Sequence, residues 1–189
     1  MTRIIGGVAG GRRIAVPPSG TRPTSDRVRE ALFSALDHDL DWAQTHVADL
    51  YAGSGALGLE AASRGAAHVM LVDNSRAAVT IMRSNIEAVG LRAVDVMTAD
   101  VHSVAASAPA GSMLPRDLVL LDPPYDVATD DVLLVLAALG ANNWLAPQAL
   151  VVIERGVRCD PITWPAGFIP IRERKYGDTV LWFGRFDRS

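Results

Sequence analysis

Residues 120–126, LLDPPYD, carry the most specific chemistry in the chain. An exocyclic amine on a heteroaromatic ring is a poor nucleophile, because its lone pair is delocalised into the ring. Two acceptors aimed at its two hydrogens draw the nitrogen toward tetrahedral geometry and localise that pair. The Asp122 carboxylate and the Pro123 carbonyl can be those acceptors. Consecutive prolines lack N–H groups and have fixed φ, so Pro123 and Pro124 hold this carbonyl rigidly. Tyr125 would stack on the face of the base. Holding the nitrogen in line with a methyl donor then supplies much of the rate. The plain alternative is a proline-stopped strand with a tyrosine facing solvent.

A second group lies upstream. DLYAGSGALGLE places Gly53, Gly55 and Gly58 in G-x-G-x-x-G spacing. Such glycines let the chain turn tightly and let a ligand approach backbone amides at a helix N-terminus. Asp73 follows Gly55 by 18 positions. A carboxylate there can accept hydrogen bonds from ribose hydroxyls, which fits a dinucleotide and S-adenosylmethionine equally. Asp100 can accept from an adenine amino group. Asp73 and Asp100 can also simply cap the helices that follow them. The acid-Pro-Pro-aromatic motif separates the two cofactors, since hydride transfer has no need of it.

These residues need a frame that gathers them. From His46 the pattern alternates between short apolar strands and amphipathic helices. Strands are expected at HVADLY, AHVMLVD, AVDVMTAD, DLVLLD and ALVVIER. Helices are expected at about residues 56–64, after Asn74 or Ser75, and at about 129–139, with a short helix and loop over 101–115. DLVLLD is apolar almost throughout, as a strand buried on both faces should be. Strand–helix alternation implies an α/β fold with a mostly parallel sheet and right-handed crossovers. Ligands in such sheets bind at the carboxyl ends of the strands. Asp73, Asp100 and Asp122 fall at those ends, and Asp49 lies within the end of the first strand. FIPIRERKY and TVLWFGRF flank Gly177 and Asp178, a two-residue hairpin turn that makes the last strand antiparallel. At the other end, RIIGGVAGGRRIAV reads as a β-hairpin. Thr24 or Ser25 then caps a helix with Val28, Ala31, Leu32, Ala35 and Leu36 on one face and Arg27, Arg29 and Glu30 on others.

The 189 residues suit one domain with a short appendage. The net charge of −3 excludes a uniformly basic nucleic-acid binder. The charge is uneven: residues 1–30 hold six arginines and two acids, a balance of +4 that leaves −7 for the rest. A basic end on an acidic body suggests local contact with phosphate. Cys159 is the only cysteine, so no intrachain disulfide forms. The four histidines form no ligand-spaced cluster, and no metal is expected. No apolar signal region opens the chain, and a soluble cytoplasmic protein, acting as a monomer, is the expectation.

The motifs RIIGGVAGGRRI, RPTSDRVREALFSAL, DLYAGSGALGLEAASRGA, LVDNS, LLDPPY and TVLWFGRF occur in one order over nearly the full length. In this the chain resembles the RsmD-type 16S rRNA guanine(966)-N(2) methyltransferases. The resemblance implies a Rossmann-like class I S-adenosylmethionine-dependent methyltransferase fold. It implies a seven-stranded sheet over residues 21–189 and an RNA-docking hairpin extension over residues 1–20. It places S-adenosylmethionine along Asp49, Tyr51, Gly53, Gly55, Asp73, Asn74 and Asp100. The target amine falls at Asp122, Pro123, Pro124 and Tyr125. Arg3, Arg12, Arg13, Arg22 and Arg27 become candidates for RNA contact, and Thr24 for cofactor or phosphate. The expected partner is 16S rRNA within the small ribosomal subunit or its assembly intermediate. The residues alone leave open an amino methyltransferase acting on adenine N6 or a protein amide, a dinucleotide oxidoreductase, and a non-catalytic RNA-binding factor.

Overall fold

The computed structural model describes residues 1–17 and 25–187, so Arg22 and Thr24 lie outside it. Seven strands form the main sheet: β3 (His46–Leu50), β4 (His68–Asp73), β5 (Val94–Thr98), β6 (Arg116–Leu121), β7 (Leu145–Gly156), β8 (Phe168–Tyr176) and β9 (Thr179–Phe186). Their order is β5-β4-β3-β6-β7-β9-β8. Pairs from β5 through β7 are parallel, and β9 runs antiparallel to both its neighbours. The expected mostly parallel sheet with an antiparallel last strand is the sheet observed.

Period-two alternation sets the two cores. On one face Val47, Leu118 and Leu120 pack with Val28 and Leu32 of α1 (Asp26–Asp39), Leu57 of α2 (Ala56–Ser63) and Met82 of α3 (Arg76–Val89). On the other, Ala48, Val119 and Leu121 pack with Val104 of α4 (Val101–Ala105) and Val132 and Leu136 of α5 (Thr129–Ala141). Strand order reverses between β3 and β6, so a crevice opens at their carboxyl ends.

Two elements differ from the sequence reading. β7 starts at Leu145, four residues early, and its register against β6 slips between Arg116 and Leu118. Pro147 lies in this added stretch; it lacks a ladder donor, and Gln148 next to it takes a φ of 65°. The N-terminal hairpin pairs only Thr2 with Ile14 and Arg3 with Arg13 across β1 (Thr2–Arg3) and β2 (Arg13–Ile14). The glycine-rich segment between them closes partly on itself, Gly11 donating to the Ile4 carbonyl, and partly on α2. Ile5 and Gly6 donate to the Glu60 carboxylate, and Ala9 donates to Ser63 Oγ. Ile4, Ala9 and Ile14 form a third small core with Leu59 and Val89.

Ser25 caps α1, accepting from the Val28 amide. Arg29, expected on a face other than the apolar one, is fully buried in the fold. Its guanidinium donates to the Arg3 carbonyl, Thr2 Oγ1 and Asp26. It also lies 3.9 Å from Glu60. Burial without a counter-ion would be costly, so this arginine ties the hairpin to α1 and α2.

Candidate active site

The turn from β3 into α2 is built on its glycines and its carboxylates. Tyr51 follows β3 with a φ of 62°, a conformation seldom taken by a bulky residue. Gly53 and Gly55 also have positive φ, 56° and 78°. A Cβ at Gly58 would lie 2.2 Å from Leu71 Cδ2, so only glycine lets α2 sit this close to β4. The Gly58 amide donates to Asp49 Oδ2 at 2.8 Å. Asp73 accepts from the Gly53 amide with Oδ2 and from the Ser75 amide with Oδ1, both at 2.8 Å. Its carboxylate is therefore fixed between the turn after β3 and the segment after β4.

Asp49 is almost wholly buried. Burial raises its pKa from 3.8 to about 8, helped by the neighbouring charges of Asp122 and Asp73 and opposed by the Gly58 amide. Its burial thus favours the protonated form. The Tyr51 phenol is raised to about 12, first by burial and then by Asp100 and Asp131. The Tyr51 hydroxyl is buried and has no hydrogen-bond partner among the described residues. Asp100 caps α4 through the Ser103 amide at 3.0 Å, so the capping alternative holds for it. Asn74 is exposed beside Asp73, and Ser75 rather than Asn74 caps α3.

Across the crevice, Asp122 follows the end of β6 and is half-buried, Pro123 is buried, and Tyr125 is 63% exposed. The Tyr125 ring lies over Gly156 at the end of β7, where an added Cβ would come within 2.9 Å of it. The ring divides two cavities. One, of about 370 Å³, lies between the start of α1 and the β8–β9 turn, with Arg27, Glu154 and Lys175 in its wall. The other, of about 510 Å³, is lined by Val157, Arg158 and Cys159.

The family described as "Conserved hypothetical protein 95" matches residues 2–185. The chain is 39% identical over 179 residues to "Ribosomal RNA small subunit methyltransferase D" of Escherichia coli strain K12, covering 94% of this chain and 86% of that protein. The chain belongs to this family. The Haemophilus influenzae protein of the same name is 31% identical over 176 residues, covering 93% and 89%. The solved structure of yhhF from Escherichia coli superposes with a TM-score of 0.86 at 33% identity, covering 98% of each chain.

The cofactor of such a methyltransferase is S-adenosylmethionine, and the crevice fits it. That molecule carries a sulfonium and an ammonium cation, and the crevice brings Asp73 and Asp122 close enough to Asp49 to raise its pKa. A dinucleotide would bring two phosphates to the same acids. The Gly58 amide, on the first turn of α2 where a pyrophosphate would dock, is already taken by Asp49.

The N-terminal arginines divide into two kinds. Arg12 donates to the Val89 carbonyl at the end of α3, and Arg3 pairs with Asp26. Arg13 and Arg27 are exposed. Three supporting residues escaped the sequence reading. Asn85 exchanges hydrogen bonds with both backbone groups of Ala15 and donates to the Ser54 carbonyl inside the glycine turn. Its signal was an asparagine on the apolar face of α3. Arg155, 4% exposed, donates to the Val127 carbonyl and so tethers the segment after Tyr125. Glu60 anchors the hairpin, and nothing local in the sequence marks it.

Proposed function

We propose that the protein transfers a methyl group from S-adenosylmethionine to the N2 amine of a guanine in 16S rRNA of the small ribosomal subunit. The target implied by the family resemblance is guanine 966. One observation carries this reading: an acid and a rigid carbonyl, Asp122 and Pro123, stand across the switch point from the glycine turn. Family membership supplies the RNA class. In this reading Asp49, Tyr51, Gly53, Gly55, Asp73, Asn74 and Asp100 hold the cofactor. The bound cofactor supplies an electrophilic methyl group.

Asp122 and the Pro123 carbonyl accept the two amine hydrogens and localise the nitrogen lone pair. Pro124 stiffens the loop. Tyr125 stacks on the base and keeps the nitrogen in line. The N–CH3 bond forms as the S–CH3 bond breaks, and Asp122 receives the proton that the amine sheds. Arg13 and Arg27, with Lys175 and Arg158 on the cavity walls, attract the rRNA backbone. Arg3 and Arg12 combine phosphate contact with holding the hairpin, and Arg22 belongs to the same basic segment. Small subunits are assembled in the cytoplasm, which is where the enzyme acts.

The test is mass-spectrometric mapping of the methylated nucleotide after reaction with unmodified small subunits. The expected product is a single N2-methylguanine. Methylation of DNA or of a protein amide at comparable rate overturns the reading.

A further inference from the structure

We infer that Glu154 reads the N1–H of the target guanine and so selects guanine over adenine and cytosine. The inference rests on the proposed N2 chemistry and adds the residue that chooses the base.

The strand register carries the first step. Leu120 pairs with Val152 and Leu121 with Ile153 across β6 and β7. Leu120 and Val152 face the α1 side, while Leu121 and Ile153 face the α5 side. Glu154 comes next on β7, so the same alternation turns it toward α1, and Asp122 is the first residue beyond β6. Residues opposite one another on neighbouring strands stand side by side. Glu154 therefore flanks Asp122 at the carboxyl end of the sheet.

The cavity carries the second step. Glu154 lines the space of about 370 Å³ that Tyr125 also walls. Arg27 and Lys175 share that wall, which suits a nucleotide whose phosphate lies outward and whose base lies inward. A base stacked on Tyr125, with its amine at Asp122, can turn N1, one of the two ring atoms beside that amine, toward Glu154.

Base chemistry supplies the third. Beside its exocyclic amine guanine carries N1–H, a donor. Adenine carries N1 and cytosine carries N3 beside theirs, and both are acceptors. A carboxylate at this place accepts a hydrogen bond from guanine and faces the lone pair of either other base. Charged hydrogen bonds are among the strong ones, and a site that pairs with a substrate N–H rejects the analogue lacking it.

The test uses small subunits reconstituted with 16S rRNA carrying either guanine or 2-aminopurine at the mapped position. 2-Aminopurine keeps the amine and replaces the N1–H by a lone pair. Wild type is expected to favour guanine by at least about 100-fold in kcat/KM. Glu154→Gln can offer an N–H to that lone pair. It should lower kcat/KM for guanine about 10- to 100-fold and narrow the guanine to 2-aminopurine ratio by a similar factor, with cofactor affinity by calorimetry unchanged. Wild type that accepts both bases equally overturns the inference, whatever the variant does. So does a variant whose ratio equals that of wild type. In both cases mapping to guanine N2 leaves the proposed function standing. Mapping of the wild-type product to adenine overturns both.

Discussion

The glycine turn and the Asp-Pro-Pro-Tyr loop leave neighbouring strands at the same end of the sheet, yet they are fastened in different ways. The glycine turn is cross-tied from three directions, by Asp49 to Gly58, by Asp73 to Gly53 and by Asn85 to the Ser54 carbonyl. The other loop is exposed at Tyr125, stiffened by two prolines, and tethered from Arg155 to Val127. In the proposed function the glycine turn would hold a small cofactor that is the same at every turnover, which rewards a closed cradle. The Asp-Pro-Pro-Tyr loop would receive a base carried on a large RNA, which needs an open entrance, and rigidity there comes from fixed φ angles instead.

The sharpest way to break this comparison is Asp122→Ala. If the two loops act separately, kcat falls about 100- to 1,000-fold, the scale of losing one acceptor or donor aimed at a reacting centre. Cofactor affinity stays within a few-fold. Single-turnover methyl transfer and calorimetry read the two effects, and equal losses in both would merge the two loops into one site. Asp73→Ala is the converse. Loss of the proposed ribose acceptor and of the Gly53 amide's partner should weaken cofactor binding about 10- to 100-fold, with kcat at saturating cofactor little changed. A larger effect on kcat than on affinity would move Asp73 to the chemical side.

A more modest effect is expected at Asn85. Asn85→Ala leaves the Ala15 and Ser54 backbone groups without a side-chain partner, at a cost of about 1–3 kcal/mol of stability. Thermal melting should fall, and cofactor affinity with it, because the same side chain holds the hairpin and the glycine turn. A drop in melting temperature with normal affinity would show that the turn does not need this tie.

What was legible in the sequence follows the same division. The strand–helix alternation from His46, the glycine turn and the terminal hairpin at Gly177–Asp178 are local patterns, and each sits where local chemistry puts it. Glu60, Asn85 and Arg155 act on backbone 28 to 70 residues away. No periodicity or spacing records such a partner. Arg29 shows the limit best: by helical pattern it belongs with the solvent-facing residues, and only the docked hairpin makes its burial tolerable. The hairpin's glycines likewise look like a tight turn, and Gly10 and Gly11 do close one, whereas the Gly6 amide bonds α2.

The finest distinction between the loops lies in Asp49. Its folded pKa of about 8 stands above the unfolded value of 3.8, so the folded state keeps a proton that the unfolded chain has shed. The sign follows from linkage: this group's contribution to stability is full below about pH 4, declines as pH rises, and is gone above about pH 8. Asparagine resembles the protonated acid and its carbonyl can still accept from the Gly58 amide. Asp49→Asn should therefore match wild type in melting temperature near pH 4, where both forms are neutral. Wild type should then lose stability relative to the variant as pH rises toward 8. Parallel melting curves from pH 4 to pH 9 would mean that Asp49 is charged in the fold, its buried carboxylate held by the Gly58 amide without a proton.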